Sequence, residues 1–185
     1  MVDDILKDLD GGIAKAIDSL KRELAKVRTG RANLALLDGV RVDYYGTPSP
    51  LNQVASVSTP DARLIVIKPW EKKLCPAIED AIRRSELGVN PSSDGELVRI
   101  PIPALTEERR RDLTKVVKRM GEDARVAIRN QRREANEMLK EYQAAGDITE
   151  DDQSNGQKKV QASIDKGIEK VDEIVGKKEA EIMEV

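Results

Sequence analysis

Three stretches of this chain place apolar residues at helical spacing, and the stretch between the first and second changes to a period of two. Leu6, Leu9, Ile13, Ile17, Leu20, Leu24 and Val27 follow one another at intervals of three or four. That spacing predicts an amphipathic helix over roughly residues 3–28, ending at Thr29-Gly30. A second stripe runs through Leu113, Val117, Met120, Ala124, Ile128, Ala135, Leu139 and Tyr142. Thr106 is placed to cap this helix, with Glu107 and Glu108 in the first turn, where acids suit the helix dipole. Continued to Ala144 it would span about 60 Å. Gly121 interrupts it; close approach of a backbone or ligand is one reading, and a local kink is the one expected. Beyond Ala145-Gly146-Asp147, Thr149 and Asp152 mark a capped start for a third helix carrying Val160, Ile164, Ile168, Val171, Val175 and Ile182. Gly156, Gly167 and Gly176 lower its propensity, so its first turns are expected to fray.

Between the first two helices the pattern reads as strands. Val40 to Tyr44 alternates and is broken by a turn at Gly46-Thr47-Pro48-Ser49-Pro50. Val54 to Ser58 and Leu64 to Ile67 are further strands, the second expected to be buried on both faces. Glu71 to Ser85 has helical spacing, Asn90 to Gly95 is loop, and Leu97 to Ile100 is a last strand closed by Pro101-Ile102-Pro103.

The expected fold is α+β, mostly α: a long three-helix bundle built from residues 1–30 and 104–185, with a small β/α/β domain inserted at 31–103. The chain passes between the two parts near Thr29-Gly30-Arg31 and again near Ile102-Pro103-Ala104. Two thin connections predict a two-domain L or dumbbell whose hinge lies at those residues, with Gly30 able to absorb dihedral change.

Charge changes the picture once it is counted by segment. The whole chain carries a net −2. Residues 104–140 hold 11 Lys/Arg against 7 Asp/Glu, whereas residues 141–185 hold 6 against 12. Four of the cations, Arg111, Lys118, Arg125 and Arg132, stand seven residues apart. At about 100° per residue, Lys118, Arg125, Arg129 and Arg132 fall within about 60° of one another, on the flank of the apolar stripe. Such a rail suits a long polyanion, RNA above all. A solvated helix face fits the same residues.

Several chemistries are excluded. The chain has no histidine and one cysteine, Cys75, so it lacks the commonest general base and any Cys pair for zinc or an intramolecular disulfide. No glycine-rich phosphate loop is present. Trp70, Tyr44, Tyr45 and Tyr142 are too few to form a base-stacking surface. The reading is a chain with no catalytic residues, no metal and no cofactor. No apolar run approaches the ~20 residues that cross a bilayer. The acidic, amphipathic start MVDDILKDLD lacks the look of a signal or transit peptide, so a soluble cytoplasmic monomer is expected.

Six motifs add a resemblance. Arg28-Thr-Gly-Arg-Ala32, Val42-Asp-Tyr-Tyr-Gly46, Leu64-Ile-Val-Ile-Lys-Pro69, Leu87-Gly-Val-Asn-Pro91, Leu105-Thr-Glu-Glu-Arg-Arg110 and Arg129-Asn-Gln-Arg-Arg133 occur in this order along the chain. In order and spacing the sequence resembles the ribosome recycling factor family. The resemblance implies a three-helix bundle with an inserted β/α/β domain. It implies binding to the large ribosomal subunit after peptide release, then separation of the subunits with elongation factor G and GTP. It also implies that Arg129, Arg132 and Arg133 face ribosomal RNA, with Arg133 turned about 100° from Arg132. Arg125 and Lys118 join them from the stripe geometry. Arg28 and Arg31 match a family motif beside the hinge, for RNA contact or hinge geometry. A helical adaptor with solvated faces and a general RNA chaperone are the alternatives; an enzyme of unfamiliar type has no constellation behind it.

Overall fold

A computed structural model describes residues 1–184. The chain divides into two compact units, one formed by Met1–Arg28 with the chain from Thr106 onward, the other by Thr29–Leu105.

The first unit is a bundle of three helices, α1 (Val2–Ala25), α2 (Glu107–Ala144) and α3 (Glu150–Met183), each packed on the other two. Helix α1 stops at Ala25, three residues short of the expected end, and turns through Lys26 and Val27. Its buried stripe begins at Ile5 rather than Leu6, which is half-buried, and continues through Leu9, Ile13, Ile17, Leu20 and Leu24. Thr106 caps α2 by accepting a hydrogen bond from the Arg109 N–H at 3.1 Å. Thr149 and Asp152 form a reciprocal capping box on α3, with both bonds at 3.1 Å. Those bonds hold the Asp152 carboxyl below its ordinary pKa.

Gly121, Gly156 and Gly167 are packing positions, whereas Gly176 meets nothing within 4 Å, and this corrects two expectations. Helix α2 runs without a break through Gly121, where an added Cβ would lie 2.7 Å from Val175 Cγ2 of α3. The residue is glycine because a neighbouring helix comes close, and no kink is formed. On α3, Cβ atoms at Gly156 and Gly167 would meet Leu139 and Ile13 at 2.9 and 2.8 Å. Helix α3 is therefore continuous and capped from Glu150, with close approach offsetting the lost propensity.

The second unit begins, after a 3₁₀ turn at Leu34–Leu37, with the hairpin β1 (Arg41–Tyr44) and β2 (Thr47–Pro50). The expected five-residue turn shrinks to Tyr45-Gly46, both at positive φ (50° and 80°), and Thr47–Pro50 becomes a strand. Two left-handed residues match the twist of a tight hairpin. The prolines, lacking N–H, sit on a two-stranded ribbon whose outer edge needs no donor.

A single helical turn at Leu51–Val54 leads to β3 (Ala55–Asp61), β4 (Leu64–Pro69), β5 (Ser92–Ser93) and β6 (Val98–Pro101). These form an antiparallel sheet in the order β3-β4-β6-β5, so the expected loop at Asn90–Gly95 contributes a short edge strand. Strand β4 alternates: Ile65 and Ile67 are buried, while Leu64 and Val66 are half-buried, so one face is covered and the two-sided burial is corrected. The expected helix 71–85 splits into a 3₁₀ turn at Lys72–Leu74 and an α-helix at Cys75–Arg84, since Pro76 belongs in a first helical turn. Ile78 and Ile82 of that helix share a core with Val42, Ile65, Ile67, Val98 and Ile100, and Cys75 is buried among them.

Candidate nucleic-acid interface

The rail lies where α2 runs antiparallel to α3, and its members are not equivalent. Arg125 is the most enclosed. Its Nε and Nη2 both donate to Asp172 Oδ1 of α3, at 2.9 and 2.6 Å, and its Nη1 lies 3.4 Å from Glu122 Oε2. With its side chain 24% exposed, it departs from the open position that helical angle alone suggests. The Asp172 hydrogen bond raises its pKa further, so the charge is permanent.

Arg129, one turn on, donates through Nη2 to Glu122 Oε1 at 2.5 Å. That bond, more than any other contact, holds the Glu122 carboxyl below its ordinary pKa. Asp172, Arg125, Glu122 and Arg129 thus form a chain of alternating charge across the seam. Arg132 has a neutral partner: its Nη1 donates to Gln161 Oε1 at 3.3 Å, and Gln161 Nε2 in turn donates to Asp165 Oδ1 at 2.8 Å. Lys118 and Arg133 are exposed and have no side-chain partner among the described residues. Arg111, the first of the seven-residue series, pairs with Glu107 on its own helix.

The structure therefore brings Arg125 and Arg129 into one network, sets Arg132 beside them on an amide, and leaves Lys118 and Arg133 unpaired. Arg28 and Arg31 are exposed residues of the connection after α1, on either side of Gly30. Gly30 adopts φ +76°, and a Cβ there would lie 3.2 Å from Leu105 Cγ, so the position favours glycine. Of the other connecting residues, Ile102 donates its N–H to the Arg63 carbonyl at 2.8 Å and packs against the second unit's core. Ala32 is tied similarly to Ala62 at 2.6 Å.

Sequence reasoning missed the rail's orienting partners Glu122, Gln161, Asp165 and Asp172. A signal existed: Asp165 and Asp172 repeat at seven, the spacing of Arg125 and Arg132 on the antiparallel helix. A second group also went unseen. Tyr44 and Tyr45 donate to the two oxygens of Glu71 at 3.1 and 3.0 Å, and Lys73 lies over the Tyr45 ring. Nearby in sequence, Trp70 is 66% exposed. Among the described residues no cluster of metal-ligating side chains occurs, and no helix is long and apolar enough to cross a membrane.

Comparison with known proteins gives the family. The family model for ribosome recycling factor matches residues 20–183. The chain belongs to the ribosome recycling factor family. It is 57% identical over its full 185 residues to the ribosome-recycling factor of Anaeromyxobacter sp. (strain K), covering 98% of that protein. It is 55% identical to that of Myxococcus xanthus and 54% to that of Bordetella pertussis, covering 100% and 99% of those proteins. Among solved structures, a solution structure of the ribosome recycling factor matches all of this chain and 98% of the other, at TM-score 0.75 and 40% identity. Another match, at TM-score 0.64 and 42% identity, covers both chains fully. It comes from models of the T. thermophilus ribosome recycling factor and E. coli elongation factor G bound to the E. coli post-termination complex.

Proposed function

We propose that this chain is a translation factor that occupies the large ribosomal subunit after termination and, with elongation factor G and GTP, separates the subunits for reuse. The observation that carries the reading is the full-length likeness to ribosome recycling factors, among them one described with elongation factor G on the post-termination complex. The rail supports it. Arg129 and Arg132, with Lys118 and Arg133 beside them, supply the phosphate contacts that hold the bundle on ribosomal RNA, and Arg125 braces the helix that carries them. The site of action is the cytoplasm, where the ribosomes are.

The chain acts by binding and leverage rather than by chemistry. Without histidine and without a glycine-rich phosphate loop, the chain leaves hydrolysis of GTP to its partner. Thr29, Gly30 and Arg31, with Pro103 and Ala104, form a hinge, and Ile102 anchors its end on the inserted unit. The bundle stays on RNA while elongation factor G pushes on the inserted unit.

The test is subunit separation from post-termination ribosomes, followed by light scattering. Splitting is expected only with the chain, elongation factor G and GTP together. Absence of splitting in the complete mixture, or GTP turnover by the chain alone, would contradict the reading. A cross-link that fixes the hinge should preserve large-subunit binding and stop separation; a cross-linked form that splits normally would remove the leverage step.

A further inference from the structure

The rail holds two kinds of arginine, and the difference has a thermodynamic signature. Arg132 leans on the Gln161 amide, which carries no charge, so its cation is uncompensated at the surface. Arg129 reaches back two turns to the carboxylate of Glu122, which also faces Arg125. Arg125 has a carboxylate of its own in Asp172 and does not depend on Glu122. A phosphate approaching Arg129 therefore meets a guanidinium already engaged by an internal anion.

We propose that Glu122 is an affinity-determining residue of the RNA interface, an internal counter-anion that holds Arg129 in the free protein and surrenders it to an RNA phosphate on binding. The inference rests on the reading of the rail as the RNA-facing surface. Its role is to weaken binding by a set amount, as suits a factor that must leave the ribosome after each round. Asp172 has the opposite role, fixing Arg125 in place.

Ion release makes the idea measurable. A free arginine that meets a phosphate releases one condensed counterion from the RNA. When Arg129 exchanges Glu122 for a phosphate, the vacated carboxylate, with Arg125 still 3.4 Å away, draws cation from solution, and the net release falls below one. In Glu122→Gln the release is restored.

The experiment is equilibrium binding to purified large subunits across a salt series, using the full chain. Glu122→Gln should raise affinity at low salt by about two- to fivefold, the range an exposed ion pair spans. It should also steepen the plot of log affinity against log salt, by up to about 0.7–0.9. Glu134→Gln makes the same charge change on the far side of α2, where Glu134 is exposed, and should leave the slope unchanged. Combined with Arg129→Ala, which alone weakens binding, Glu122→Gln should add nothing. If Arg129→Ala weakens binding while Glu122→Gln alters neither affinity nor slope, the counter-anion is refuted and the rail stands. A gain that persists without Arg129 refutes it as well, since the effect would then be one of overall charge. Normal binding by Arg129→Ala removes Arg129 from the interface, and the counter-anion falls with it.

Discussion

The two flanks of α2 lie at similar angles from the same apolar stripe, yet they are built differently. Toward α3, Gly121 lets Val175 approach, and Arg125 and Arg132 reach across to Asp172 and Gln161. Toward α1 the helix shows Val116, Met120, Asp123 and Ala127, with Arg119, along a groove completed by Ala16, Leu20 and Glu23. Solvation alone gives no reason to gather arginines on one flank and brace them with the neighbouring helix. A face that must match the spacing of a phosphate backbone does, because a braced guanidinium loses less freedom when it binds.

The largest effect expected from this contrast is on binding. Arg129→Ala/Arg132→Ala should lose about tenfold or more in large-subunit affinity at moderate salt, with melting within about 0.5 kcal/mol of the parent. Arg119→Ala, on the opposite flank, should bind normally. Sedimentation with purified subunits against an unrelated competitor RNA checks both, and equal losses on the two flanks would break the comparison.

Stability sharpens it next. Gly121→Ala drives a methyl into Val175, a rigid β-branched neighbour, and should cost about 1–3 kcal/mol. Gly11→Ala on α1 meets nothing within 4 Å and should stabilise by up to about 1 kcal/mol. Thermal unfolding of the two variants should therefore shift in opposite directions.

A smaller effect is expected across the seam. Asp172→Asn removes the charge that Arg125 leans on, and because Asp172 is more than half exposed the loss should be about 0.2–1 kcal/mol and shrink in high salt. The smallest concerns pH. Glu122 has a depressed folded-state pKa, so its contribution is fully present above the ordinary carboxylate value and is lost as pH falls through the lowered one. NMR titration of its side-chain carboxyl should give a midpoint below 4.5 that moves back up in Arg129→Ala.

The bundle was legible because a period near 3.6 must bury one face, and Thr106 and Thr149 announce their caps locally. What the pattern hid depends on neighbours. Gly121 reads as a weak point until Val175 is seen against it, and Gly46–Pro50 reads as a five-residue turn because nothing local shows that Thr47–Pro50 will pair with Arg41–Tyr44. The same limit applied to the rail. Helical angle put Lys118, Arg125, Arg129 and Arg132 together, but only the packing of α3 separates the braced Arg125 from the unpaired Lys118.

The central claim is that the α3-side flank of α2 faces ribosomal RNA, and protection of individual arginines tests it without altering the protein. The chain would be treated with an arginine-specific dicarbonyl, free and bound to large subunits, and modification read residue by residue by mass spectrometry. Arg129, Arg132 and Arg133 should become protected on binding, while Arg119 stays as reactive as in the free chain. Protection of Arg119 with Arg129 and Arg132 still reactive would turn the helix around and contradict the account.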